Sequence, residues 1–163
     1  SLMPIFKDVA KELKEEKILV VPKHFTQKEI QEFYGNIEDF KIIQDTQQAL
    51  YESDFAFICS GTATLEAALI GTPFVLVYKA KAIDYFIAKR FVKLKYAGLA
   101  NIILDFYDKE PLHRELFQND VNKKALLKAY KEADREKFIK NSYILKEILS
   151  HGSKDNIKKL LKT

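Results

Sequence analysis

With 163 residues, 47% of them hydrophobic and 31% charged, the chain suits one folded domain, is too short for two of ordinary size, and is not disordered by composition. Its 27 lysines and arginines against 23 acidic residues leave a net charge of only +4, too mild to point to nucleic acid. A single cysteine excludes a disulfide framework and a thiolate metal site; no uncharged apolar run is long enough to span a bilayer and no basic-then-apolar start marks a signal peptide, which favours the cytoplasm.

Pro4 to Glu15 carries Ile5, Phe6, Val9, Ala10 and Leu13 at helical spacing, with proline suited to the first turn. Lys17 to Val21 reads as a strand stopped by Pro22. Thr26 and Glu29 form a capping-box pattern that opens a helix through Phe33, ended by Gly35 and Asn36. Phe40 to Ile43 is a short strand, and Asp45 or Thr46 can cap a helix through Tyr51.

Phe55 to Cys59 is a continuous apolar run, as expected of a strand covered on both faces of a parallel sheet, with Cys59 a small core residue. It passes directly through Ser60-Gly61-Thr62-Ala63-Thr64-Leu65-Glu66 into a helix stopped by Gly71. Such a helix start leaves backbone N–H groups unpaired at the positive end of the dipole, a ready anion site. Gly61 allows close approach of a ligand, Ser60, Thr62 and Thr64 add hydroxyls, and Glu66 shares a helix face with Thr62 and can accept from a ribose diol. Ser/Thr caps and a first-turn glutamate are also ordinary helix chemistry, and on the local pattern both readings stand.

Thr72-Pro73 restarts the chain as the apolar strand Phe74 to Tyr78. Strands alternating with single helices imply an α/β fold: a Rossmann-like parallel sheet with helices on both faces, whose ligands gather at the carboxyl ends of strands. Cys59, Ser60 and Tyr78 are therefore expected beside one crevice, and Lys79 and Lys81 can face a diphosphate. From Lys79 to Tyr96, six lysines and arginines including Lys89, Arg90 and Lys93 are opposed only by Asp84. This basic amphipathic helix either lies on an anionic membrane or packs its apolar stripe on the sheet; packing accounts for its aromatic residues without nucleic acid.

Ala97 to Leu104 reads as an extended apolar segment in which Asn101 either satisfies loop backbone or projects into the crevice. Leu112 to Phe117 is a short amphipathic piece ending at Gln118. Val121 to Thr163 reads as two or three helices with Lys-rich faces, restarting at Asn141 and Ser142 and breaking again near His151. We divide the chain into a domain over residues 1–120 and a helical tail over 121–163. His24, His113 and His151 fit no metal-ligand spacing, no phosphate loop or nucleophile elbow is present, and nothing nominates a general base.

Taken in order, Ser60 to Glu66, Pro73, Tyr78-Lys79-Ala80-Lys81, Ala88 to Lys93, Leu99-Ala100-Asn101 and Glu115-Leu116-Phe117-Gln118 resemble the C-terminal half of the lipid-A-disaccharide synthase family. That resemblance implies a two-domain (GT-B) inverting glycosyltransferase that joins UDP-2,3-diacylglucosamine to 2,3-diacylglucosamine 1-phosphate at the cytoplasmic face of the inner membrane, with no cofactor. It implies that Ser60, Gly61 and Thr62 hold the donor diphosphate, that Glu66 lies on the ribose side, and that Tyr78, Lys79 and Asn101 belong to the donor site. Lys89, Arg90 and Lys93 would serve affinity for acidic lipid. The family has Leu-Pro-Asn where this chain has Leu99-Ala100-Asn101. Its acceptor-site carboxylates and Pro-Gly-Ser-Arg segment belong to an N-terminal half that this sequence does not include. We therefore expect a fragment that binds the UDP moiety, contains no catalytic residue of its own and is inactive without that half. The alternatives are the donor domain of another UDP-sugar enzyme, an epimerase or transferase, and a non-catalytic nucleotide-binding or membrane-associated module.

Overall fold

The computed structural model describes residues 2–79 and 95–151. The basic stretch with Lys89, Arg90 and Lys93, and the last basic turn after His151, lie outside the described residues. Among the described residues, five strands and seven α-helices follow in order: α1 Met3–Ala10, β1 Ile18–Val20, α2 Gln27–Tyr34, β2 Lys41–Ile43, α3 Thr46–Glu52, β3 Ala56–Ile58, α4 Gly61–Ile70, β4 Phe74–Tyr78, α5 Leu99–Phe106, β5 Arg114–Phe117, α6 Lys123–Lys131 and α7 Arg135–His151. The strands form two parallel sheets, β1-β2 and β3-β4-β5.

Local signals account for most of these boundaries. Thr26 and Glu29 close a reciprocal capping box, with Thr26 N–H donating to Glu29 Oε2 at 2.8 Å and Glu29 N–H to Thr26 Oγ1 at 3.3 Å. Asp45, rather than Thr46, caps α3 by accepting from Gln48 N–H at 3.0 Å. Gly71 ends α4 at φ 96°, a left-handed conformation that glycine adopts without a Cβ penalty.

β4 is the central strand and is covered on both faces. Phe74 and Leu76 join Ile58, Ala67, Ala68, Ala100, Leu104, Phe138 and Leu145 in one core. Val75 and Val77 join Val9, Val121, Leu126 and Ala129 in the other. Helices α4, α5 and α7 thus cover one face, and α1 and α6 the other. This is the α/β architecture with helices on both sides of a parallel sheet that strand–helix alternation implied.

Three expectations are corrected, and one segment whose type was left open is resolved. α1 stops at Ala10 instead of reaching Glu15. Ala97 to Leu104 is not extended: Leu99–Phe106 is helical and buries Ala100, Asn101 and Leu104 on one side, a helical spacing that the dense apolar run concealed. Arg114–Phe117 is a strand, because β4 offers it a free parallel edge. α7 passes through Asn141 and Ser142 without a restart. Ser142 is buried and donates its hydroxyl to the Ala68 carbonyl, so a residue that reads as a breaker is a contact between helices.

Candidate functional site

The parallel register brings the carboxyl ends of the strands together. Ile58 lies opposite Leu76, so continuing the two strands sets Ser60 beside Tyr78, and Tyr78 lies opposite Phe117. Ser60, Tyr78, Lys79 and Gln118 therefore share one edge of the sheet, the edge at which parallel α/β folds collect ligands.

At that edge, Ser60 is the N-cap residue of α4 but its side chain caps no backbone N–H. Its hydroxyl instead lies 3.0 Å from Thr62 Oγ1. Both residues are exposed, so two hydroxyls flank a helix start whose first donors have no side-chain cap from Ser60. Thr64 turns inward, donating to the Gly61 carbonyl at 2.5 Å and becoming fully buried, so of the three hydroxyl residues it serves the helix and not the surface. Glu66 is exposed one turn after Thr62. Tyr78 is 46% exposed although the four residues before it are buried. Lys79 is exposed as well.

Cys59 is corrected from a core residue to an exposed one, because the strand ends at Ile58 and the chain leaves its covered face. The thiol is still crowded on most sides, and loss of water pushes it up to about 11, so it is protonated at neutral pH and unsuited to nucleophilic chemistry.

Asn101 is fully buried, and its amide makes four hydrogen bonds within the protein. Its Oδ1 accepts from Leu112 N–H at 2.8 Å and His113 N–H at 3.3 Å. Its Nδ2 donates to the His113 carbonyl at 2.9 Å and to Glu115 Oε1 at 3.0 Å. Of the two roles open from sequence, the one observed is satisfaction of backbone, and the amide presents no spare donor. Asn101 thereby fixes α5 to the start of β5.

Beside Asn101 lie two residues that the sequence reading passed over as site elements. The side chains of His113 and Glu115 are 0% and 5% exposed, with Nε2 and Oε1 3.9 Å apart. His113 Nδ1 is 3.0 Å from the Arg114 carbonyl, an acceptor, so Nδ1 carries the proton and Nε2 faces the carboxylate without one. Desolvation holds His113 below its usual 6.5, outweighing the carbonyl contact and the Glu115 charge, which act upward. The unfolded chain therefore takes up a proton first as pH falls, and stability present above 6.5 is lost on acidification until the folded imidazole itself titrates. Urea midpoints of the wild type are expected to fall between about pH 7 and pH 5, and those of His113→Gln to fall less; equal declines would remove His113 as the cause.

Gln118 adopts φ 49°, and its Nε2 is buried with no hydrogen-bond partner among the described residues. In the sequence Gln118 stands out only as the end of the amphipathic piece and of the Glu115-Leu116-Phe117-Gln118 match. A separate open cleft of about 270 Å³, lined by Phe74, His113, Phe138, Arg114 and Glu132, lies at the opposite, amino edge of the sheet. Its Arg114–Glu132 pair at 2.7 Å is an exposed ion pair worth little, and the hydroxyl turn is not part of it. Among the described residues no cluster suits a metal ion and no helix is long and apolar enough to cross a membrane.

The described site is thus a parallel-sheet edge with an open helix start, paired hydroxyls, one acidic residue on the same helix and a Tyr-Lys pair at the next strand end. Comparison with known proteins gives the family. Lipid-A-disaccharide synthase of Campylobacter jejuni (strain RM1221) is 56% identical over 160 residues, covering 98% of this chain and 43% of the relative. The enzymes of the same name from Helicobacter acinonychis (strain Sheeba) and Helicobacter pylori (strain ATCC 700392 / 26695) are each 46% identical over 166 residues, covering 94% of this chain and 46% of theirs. The chain spans less than half the length of these relatives. No solved structure matches it. The family model described as lipid-A-disaccharide synthetase matches residues 2–160, and the chain belongs to that family.

Proposed function

We propose that this chain is the UDP-sugar-binding part of a two-domain GT-B glycosyltransferase that transfers 2,3-diacylglucosamine from its UDP derivative to 2,3-diacylglucosamine 1-phosphate in lipid A biosynthesis. The observation that carries the reading is the open Ser60-Gly61-Thr62 turn at the start of α4, set at the carboxyl edge of a parallel sheet in a member of this family. Residues 1–120 supply the donor site and residues 121–163 a helical tail.

Glycosyl transfer separates negative charge onto the departing diphosphate and needs a base for the acceptor hydroxyl. The turn supplies the first requirement. Backbone N–H groups at the start of α4 and the hydroxyls of Ser60 and Thr62 donate to phosphate oxygens, with the helix dipole behind them. Gly61 keeps that approach free of a side chain. Lys79 adds a full positive charge at the neighbouring strand end, and Tyr78 offers an exposed ring and hydroxyl for the nucleoside or sugar. Glu66 accepts from the ribose diol, and Asn101 supports the site from beneath. Deprotonation of the acceptor falls to the N-terminal half, so this chain alone binds the donor and does not turn it over. Lys89, Arg90 and Lys93 suit contact with anionic lipid at the cytoplasmic membrane face.

Calorimetric titration with UDP tests the reading. The wild-type chain is expected to bind, and Glu66→Ala to bind about tenfold more weakly, the equivalent of one charge-assisted hydrogen bond of about 1.4 kcal/mol. Absence of UDP binding by the wild type overturns the donor assignment, whereas binding unaltered by the substitution removes Glu66 alone. Glycosyl transfer by the isolated chain with both lipid substrates would refute the division of labour.

A further inference from the structure

We propose that Glu115 is a positioning residue for the Ser60–Thr62 turn: its buried carboxylate anchors the Ala97–Gly98 backbone so that the Ala97 carbonyl stays against Gly61. The functional consequence rests on the donor-site reading above; the clamp itself does not.

The geometry is explicit. Glu115 reaches from β5 to the segment just before α5, where Oε2 accepts from Ala97 N–H at 2.8 Å and Oε1 from Gly98 N–H at 3.1 Å. Oε1 also accepts from Asn101 Nδ2 at 3.0 Å, and Asn101 is itself fixed to residues 112 and 113. Held in this way, the Ala97 carbonyl oxygen lies 3.1 Å from the position that a Cβ on Gly61 would occupy. Gly98 is pinned from the other side, since a Cβ there would lie 2.7 Å from the His113 ring. Two glycines far apart in sequence are thus demanded by one loop.

A carboxylate 5% exposed is a costly way to hold a loop unless its charge is well used. Here three N–H donors share it, and His113 offers it no proton. A neutral amide at the same place has only one acceptor oxygen, and its NH2 would meet an N–H. What the carboxylate secures is the orientation of two successive peptide units beside the anion turn. A loosened loop can swing the Ala97 carbonyl, a hydrogen-bond acceptor, toward the donors at the start of α4, where it competes with phosphate oxygens. Clamped against Gly61, it forms a wall of the site without occupying it.

Four forms of the chain decide this: wild type, Glu115→Ala, Gly61→Ala and the double variant, with Glu115→Gln as the milder change should alanine prevent folding. Each is unfolded in urea and titrated with UDP. Gly61→Ala is expected to shift the urea midpoint less in the Glu115→Ala background than in wild type, because the released carbonyl can yield to the new methyl. UDP binding by folded Glu115→Ala is expected to weaken at least about tenfold, and Glu115→Gln is expected to fall between the two. Additive midpoint shifts would overturn the clamp, as would UDP affinity unchanged in a folded Glu115→Ala chain. If wild type fails to bind UDP, the donor reading falls, and the midpoint comparison still decides whether Glu115 holds the loop on Gly61.

Discussion

Replacing Asn101 with alanine is expected to lower the unfolding free energy by about 3–5 kcal/mol, the largest effect of any single polar truncation among the described residues. The substitution removes four hydrogen bonds at once, at a residue with 0% exposure to bulk solvent. Leu112 and His113 are left with buried N–H groups, and His113 with a buried carbonyl, each costing about 1–3 kcal/mol if nothing replaces the partner. Relaxation of residues 111 to 114 recovers part of the sum, which is why the total is set below simple addition. Urea denaturation followed by circular dichroism measures it, with Asn36→Ala as the control. Asn36 makes exposed contacts to Glu38, and its removal should cost about 0.5 kcal/mol or less. A loss below about 1 kcal/mol at Asn101 would show that the network between α5 and β5 is not formed in solution.

The second large effect is expected at Leu145. It is 0% exposed and packs in the core that contains Ala67, Ala68, Phe74 and Phe138. Leu145→Ala should cost about 2–5 kcal/mol, toward the upper end, because rigid helices on either side limit collapse of the cavity. Tyr143, two positions earlier and 61% exposed, should tolerate alanine at about 0.5 kcal/mol or less. This contrast asks whether α7 belongs to the folded unit. A helix that merely trailed from it would lose no more at Leu145 than at Tyr143. The small side chains Ala67 and Ala68, both fully buried, are what let α7 approach α4 closely enough for Ser142 to reach the Ala68 carbonyl.

Much of the fold was legible because it is written in local chemistry. The Thr26–Glu29 box, the Asp45 cap, the Gly71 stop and the unbroken apolar run of β4 each act within a few residues, and each appears where the spacing implied. The failures share a different cause. The Leu99 to Leu104 stretch is apolar enough to suit a strand or a helix, and its helix is fixed by Glu115 and Asn101 across more than ten positions. Arg114 to Phe117 becomes a strand only because β4 is there to pair with it. Ser142 looks like a helix breaker until α4 supplies a carbonyl. The site divides in the same way: the hydroxyl turn could be read from a strand running directly into a helix, whereas the buried carboxylate behind it could not, because Glu115, although part of the family match, gives no local sign of its burial or of its partners at residues 97, 98 and 101.

The two-faced burial of β4 also bears on how its register is chosen. In a strand wet on one side, a shift by one residue is forbidden because it would drive polar groups inward. β4 has no such safeguard, since Phe74, Val75, Leu76 and Val77 are all buried and a slipped strand would remain wholly apolar. What distinguishes the two faces is bulk: one receives a phenylalanine and a leucine, the other two valines. A slip would press the large pair against α1 and α6 and leave voids beneath α4 and α5. Registration of this strand is therefore a matter of shape rather than solubility, and exchanging sizes across it, as in Phe74→Val with Val75→Phe, would invite misalignment without altering the hydrophobicity of the chain.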